Sequence, residues 1–234
     1  MLCLDLSSRV VAVTGGFGSL GSSVGRAALS AGAQVALIDR ADASRLPVYA
    51  SDAFALGGVD LGASESASVA MARVVERFGR LDALVNVAGG FSWEKVEGGS
   101  AGTWDAMYQI NLRTAVNATQ SALPHLLARG DARIVNIGAG AAARASAGMG
   151  AYAASKAGVA RFTEALADEL KDRAVCVNAV LPSIINTLAN RADMPSVDFS
   201  RWVKPEQIAD LVVFLLSHHA RAITGALIPI SGRV

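Results

Sequence analysis

Arg9-Val10-Val11-Ala12-Val13-Thr14-Gly15-Gly16-Phe17-Gly18-Ser19-Leu20-Gly21 reads as a short apolar strand running straight into a glycine-rich turn. Residues 20–31 follow with helical spacing at Leu20, Val24, Ala27 and Ala28, and Gly32 suits the C-terminal cap. Strand, glycine turn and helix, in that order, are what a phosphate site needs. Bare glycines let the backbone approach a pyrophosphate at the positive end of the helix. The next run, residues 34–39, is a second buried strand ending in Asp39, 18 residues after Gly21. At that offset a dinucleotide-binding fold keeps the acid that holds the adenosine ribose. Arg40, beside it, could accept a 2′-phosphate, but the carboxylate ranks NAD(H) above NADP(H).

The alternation continues. A third strand is expected over residues 53–60 and a helix over 64–78, with Val69, Ala72 and Val75 on its apolar face and Arg73, Glu76 and Arg77 on its charged one. A fourth strand spans 81–87 and leads into Ala88-Gly89-Gly90, small residues that let backbone lie against a flat ring or ribose. Residues 133–137 and 175–181 supply strands five and six, separated by helices. This β-α alternation predicts an α/β, Rossmann-like, doubly wound parallel sheet in one domain spanning 1–234, with ligands at the carboxyl ends of the strands. Residues 182–204, polar and with few regular features, are expected to form a substrate flap.

Composition narrows the function classes. The 234 residues carry a net charge of +1 without a basic run, so neither nucleic acid nor an anionic membrane has a footprint. No apolar stretch reaches membrane-spanning length, and a cytoplasmic protein is expected. Cys3 and Cys176 lie far apart, His125, His218 and His219 form no ligand cluster, and no metal site is expected. Cys176 reads as a buried apolar side chain.

Tyr152 and Lys156 stand four residues apart in Gly148-Met149-Gly150-Ala151-Tyr152-Ala153-Ala154-Ser155-Lys156, which on a helix puts both on one face. A lysine cation favours a phenolate, so the pair is expected to lower the tyrosine pKa and exchange protons near neutral pH.

With the glycine loop, Asp39 and this pair, the whole chain resembles the short-chain dehydrogenase/reductase family. Thr14, Gly15 and Gly21 match its cofactor loop, with Ser19 in place of the middle glycine. Asp60-Leu61 resembles its adenine-contacting pair, and Asn86-Val87-Ala88-Gly89 its Asn-Asn-Ala-Gly motif with one substitution. Asn111 resembles the helix asparagine supporting a water relay to the lysine. The resemblance implies a cofactor site made by Gly15, Phe17, Gly18, Ser19, Leu20, Gly21, Asp39, Arg40, Asp60, Leu61, Val87, Ala88, Gly89 and Lys156, completed by Pro182, Ile184, Ile185 and Thr187. It also implies catalysis by Tyr152, Lys156 and Asn111. The two long helices around 103–129 and 151–171 are expected to pair copies into a homodimer or homotetramer.

Where the family carries a catalytic serine, 13 residues before the tyrosine, this chain has Ala139. Losing such a donor commonly costs about 2.7–4 kcal/mol of transition-state stabilisation. Ser146 is the nearby hydroxyl that could replace it, although an ordinary loop serine is the simpler reading. The pattern is most similar to the dihydropteridine reductase branch, which also lacks the serine. That similarity implies reduction of a quinonoid dihydropterin or related ring, with Phe91, Met149, Ala139 and Trp202 at the substrate. Phe199 and Trp202 are equally suited to packing the flap. The alternatives are a carbonyl or alcohol oxidoreductase of another small molecule and, in a different class, a non-catalytic cofactor-binding scaffold or sensor.

Overall fold

A computed structural model describes residues 4–46 and 52–234; Cys3 lies outside them. The chain forms β1 (Val10–Thr14), α1 (Ser19–Ser30), β2 (Gln34–Ile38), β3 (Phe54–Leu56), α2 (Ser64–Phe78), β4 (Ala83–Asn86), α3 (Ala101–Met107) and α4 (Thr114–Leu127). It continues through β5 (Ala132–Ile137), α5 (Gly150–Leu170), β6 (Val175–Pro182), α6 (Leu188–Asp193), α7 (Pro205–Leu216) and β7 (Leu227–Ile230). Among the described residues the strands make one seven-stranded sheet, ordered β3-β2-β1-β4-β5-β6-β7, with every pairing parallel.

Side chains alternate across each strand, and β1 shows what that does here. Val11 and Val13 join the core that holds Leu20, Val24 and Ala28 of α1 with Ile208, Val212 and Leu215 of α7. Val10 and Ala12 face the opposite core, built from Ala67, Met71 and Val74 of α2, Ala122 and Leu126 of α4, and Leu166 and Leu170 of α5. Both faces of the sheet are therefore covered, and what remains open is the pair of edges and the strand ends. The chain leaves β1 for β2 and β3, then returns to place β4 on β1's other side. That reversal opens the crevice in which a doubly wound sheet holds its ligand.

Four expectations need correction. The buried face of α2 is Ala67, Ala70, Met71 and Val74, while Val69 is 56% exposed. The apolar stripe sits one position away because the helix offers two neighbouring rows of alanine and valine, and the row nearest the sheet includes the long Met71. Strand three ends at Leu56; Asp39 then binds the turning chain, since its N–H donates to the Leu56 carbonyl and its carbonyl accepts from the Val59 N–H. The long helix around 103–129 is broken into α3, a π-helical turn (Tyr108–Arg113) and α4. Cys176 is half-buried and its Sγ donates to the Arg221 carbonyl at 3.4 Å, so it is not an apolar filler. The pattern reading also passed over α7 and β7. Pro205 at the first turn and the spacing of Ile208, Val212 and Leu215 signal that helix. β7 is short and carries Pro229, a residue tolerated on an edge strand.

Candidate active site

The carboxyl ends of β1, β2 and β4 open onto a cleft of about 1230 Å³. The turn after β1 is shaped by what lies across from it. Thr14 Oγ1 accepts from the backbone N–H groups of Val87 and Ala88, both at 3.1 Å, so the exit of β4 is fastened to the glycine loop. Gly15 has φ +63°, and a Cβ there would lie 2.9 Å from the Ala88 Cα and N; only glycine fits both demands. The N-terminus of α1 follows at Ser19 and, with Gly15, Phe17, Gly18, Leu20 and Gly21, lines the cleft, placing the positive end of the helix where an anion is favoured. Ser19 stands at the family's glycine position, and its carbonyl accepts from the Ser22 and Ser23 hydroxyls.

Asp39 lies at the cleft wall. One carboxylate oxygen accepts from the Phe17 N–H at 3.0 Å and the other from the Ala41 N–H at 2.9 Å, which fixes its orientation and leaves lone pairs for a ligand. Arg40 and Arg45 line the same wall. Arg45 had no motif to mark it and sequence reading missed it. Further along, Asp60 accepts from the Gly62 N–H at 2.8 Å, and Asn117 of α4 donates to the Leu61 and Gly62 carbonyls, both at 2.9 Å. Asn117 is a second residue the motifs did not reveal; it ties the Asp60-Leu61 turn to the helix layer. Val87, Ala88, Gly89 and Thr187 complete the expected lining, joined by Gln109, Ile110 and Thr114.

Lys156, Pro182, Ile184 and Ile185 are not gathered into that lining. Pro182 pairs with Ile230, Ile185 packs on the core, and the Ile184 carbonyl accepts from the Val203 N–H at 3.2 Å. The segment 182–204 is accordingly built rather than irregular: Ile185 bridges Val203, and Thr187 caps α6 through its hydroxyl.

The first turns of α5 carry the proposed chemistry. Lys156 is 5% exposed and its Nζ donates to the Ile137 carbonyl at 2.9 Å. The Tyr152 ring meets Phe91 edge to face, with centroids 5.0 Å apart at 81°. Burial pushes the Tyr152 phenol up to about 12 and pulls the Lys156 ammonium down to about 8. The expected lowering of the tyrosine by its neighbour is thus reversed, because loss of water penalises the phenolate and the ammonium alike. At pH 7 the phenol is protonated, the form that donates a proton.

Asn111, 1% exposed in the π-helical turn, acts as a clamp. Its Oδ1 accepts from the Gly90 N–H, and its Nδ2 donates to the Gly90 carbonyl and the Ser155 hydroxyl, all at 3.0 Å. Ser155 in turn donates to the Tyr152 carbonyl at 2.7 Å. The exit of β4 and the helix bearing Tyr152 are locked together through one amide, and Ser155 is a link that the Tyr-x-x-x-Lys pattern leaves unnamed. A Cβ on Gly89 would lie 2.6 Å from Asn111 Oδ1 and 3.4 Å from Lys156 Nζ. That bare glycine lets the Asn111 amide and the Lys156 ammonium close on the backbone beyond β4, while Gly15, Gly89 and the start of α1 line the cleft, so the residues present fit a nicotinamide cofactor.

Ala139, buried at 5% exposure, offers no donor where the family keeps its serine. Ser146 is exposed, in a turn closed by Met149 N–H to the Ser146 carbonyl at 3.0 Å. Met149 is half-buried at the start of α5, and Phe91 is 57% exposed. Trp202, expected at the substrate, is instead 2% exposed and packs tilted against Phe199, with ring centroids 5.0 Å apart at 56°. Among the described residues no His, Cys, Asp and Glu cluster is able to hold a metal ion, and no helix is long and apolar enough to cross a membrane.

The family pattern described as short chain dehydrogenase matches residues 9–196. The chain is 32% identical to a 2-(S)-hydroxypropyl-CoM dehydrogenase of Xanthobacter autotrophicus, covering 97% of this chain and 96% of that one. It is 31% identical to an acetoacetyl-CoA reductase of Acinetobacter sp., covering 96% of each. Among solved structures it is similar to carveol dehydrogenase from Mycobacterium avium in complex with NAD, with a TM-score of 0.88, 26% identity and 97% of each chain covered.

Proposed function

The chain belongs to the short-chain dehydrogenase family and is an NAD(P)-dependent oxidoreductase, and we propose that it reduces an electrophilic ring, a quinonoid dihydropterin or a related compound. The observation that carries this reading is the buried methyl of Ala139 where a hydroxyl donor is usual. A ketone collects negative charge on one oxygen as hydride arrives and needs that donor. A quinonoid ring spreads the charge while it regains conjugation, and the need falls.

Gly15, Gly89 and the start of α1 would hold a reduced nicotinamide, which when bound would be the hydride source. Tyr152 delivers the proton, Lys156 holds the nicotinamide ribose and a positive charge beside the phenol, and Asn111 orders the tyrosine's helix against the exit of β4. Asp39 favours NAD(H) over NADP(H) by repelling a 2′-phosphate, against the pull of Arg40 and Arg45. The reading includes residues 182–204 as a substrate flap, a cytoplasmic location, and a homodimer or homotetramer. Exposed Trp104 and Tyr108, on and just after α3, support association.

A second reading, a carbonyl or alcohol oxidoreductase, is favoured by the names of the relatives, an acetoacetyl-CoA reductase among them. NADH oxidation against dihydropterins, quinones and ketones separates the two. The ring reading expects fast pterin or quinone reduction and poor ketone reduction, with Ala139→Ser improving ketones by up to about a hundredfold while changing ring reduction little. Efficient ketone reduction by the wild type, abolished by Ser146→Ala, would overturn it.

A further inference from the structure

Three aromatic side chains from the segment after β4 lie along the start of α5. Trp104 meets Gly150, where a Cβ would come 3.2 Å from its ring. Trp93 sits directly on Gly148: a Cβ there would fall within 2.6 Å of indole atom Cζ2 and closer still to its neighbours. Phe91 meets the Tyr152 ring. All three nevertheless remain open to solvent, at 43%, 57% and 57% exposure.

The segment is not a loose strap. Its Glu94 N–H donates to the Gly148 carbonyl at 2.8 Å, and the Glu94 carboxylate accepts from the Ser100 N–H at 3.1 Å. The Val96 carbonyl accepts from the Gly99 N–H at 3.3 Å, and Ser100 caps α3. Trp93 is thus held on Gly148 by a pinned backbone, four residues ahead of Tyr152, with more than half of its surface unused. Rigid exposed rings of this kind gain most from a second flat apolar surface.

We infer that Trp93 determines substrate specificity, its indole forming a wall beside Tyr152 that selects flat ring substrates over aliphatic ones. The inference rests on the oxidoreductase reading above and names the feature of the site that recognises the ring. Phe91 orients the phenol, Trp93 offers the stacking face, and the absence of a donor at Ala139 leaves ring contact as the source of selectivity.

The test compares wild type with Trp93→Ala, which deletes the indole, and Trp93→Phe, which keeps a flat ring. Steady-state kinetics would use quinonoid dihydropterin and 1,4-naphthoquinone as flat acceptors and butan-2-one as an aliphatic one. Trp93→Ala should raise KM for the flat acceptors by about tenfold with kcat within about threefold. Trp93→Phe should restore most of that KM, and KM for butan-2-one and the affinity for NADH should stay unchanged. Equal shifts for flat and aliphatic acceptors, no shift at all, or a changed oligomeric state that accounts for the loss would overturn the assignment. Calorimetric titration of the NAD⁺-loaded protein with 1,4-naphthoquinone reads ring binding without turnover. Lack of turnover with every acceptor would sink the oxidoreductase reading, whereas titration binding that ignores Trp93→Ala would sink this one.

Discussion

Replacing Lys156 by methionine should stabilise the protein at neutral pH while removing its activity. Lys156 is 5% exposed and its ammonium is drawn down from 10.5 to about 8 by burial. At about 1.4 kcal/mol per pH unit, the folded state carries a penalty of roughly 3 kcal/mol for that cation. The sign follows from proton counting. Below pH 8 lysine is charged in both states and the penalty is fully present. Between pH 8 and 10.5 the unfolded chain binds more protons than the folded one, so stability rises with pH until the penalty is gone. Tyr152 adds nothing until pH 10, above which its raised phenol favours the folded state less as pH climbs toward 12. Methionine keeps the stem and drops the charge, but it orphans the Ile137 carbonyl, a loss of about 1–2 kcal/mol. The variant should therefore be about 1–2 kcal/mol more stable than wild type at pH 7 and no more stable at pH 10. Urea denaturation of both proteins at pH 7, 8, 9 and 10 reads the difference directly. Parallel pH profiles, or a variant less stable at pH 7, would refute the claim that burial of this cation dominates the site.

Tyr152→Phe keeps the ring against Phe91 and removes the hydroxyl, so turnover should fall by about two to four orders of magnitude with NADH affinity nearly unchanged; near-normal turnover on a substrate requiring protonation would end the assignment. Fluorescence titration should find NADH bound more tightly than NADPH because Asp39 repels a 2′-phosphate. Tighter NADPH would mean that Arg40 and Arg45 outweigh the carboxylate.

The sheet and the cofactor cleft were legible because local patterns encode them. An apolar run, a glycine turn and a terminal acid each declare themselves within a few residues, and Gly15, Asp39 and Gly89 stand together as their spacing suggested. What escaped is long-range. Asn117 acts on a turn 55 and 56 residues before it, and the burial of Trp202 depends on residues its own segment does not contain. The pKa of Tyr152 escaped for a related reason: spacing reports a neighbouring charge but not the loss of water around both groups. Strand three was read too long because Val59 was counted with it across Gly57 and Gly58, while the pairing stops at Leu56 and the chain turns at Gly58.

The fastening of Thr14 to Val87 and Ala88 also bears on how the chain is made. The glycine turn leaves a ribosome well before its partners, since the N–H groups that fix it belong to residues 73 and 74 positions later. At about 5–20 residues per second, the nascent turn waits roughly 4–15 s for its partners. During that interval β1 has only β2 beside it, with β3 beyond, and its other edge is bare. The nucleotide pocket is thus born unfinished and closes only once β4 docks. Ligand capture, chaperone hold and protease attack on the emerging chain would compete within those seconds.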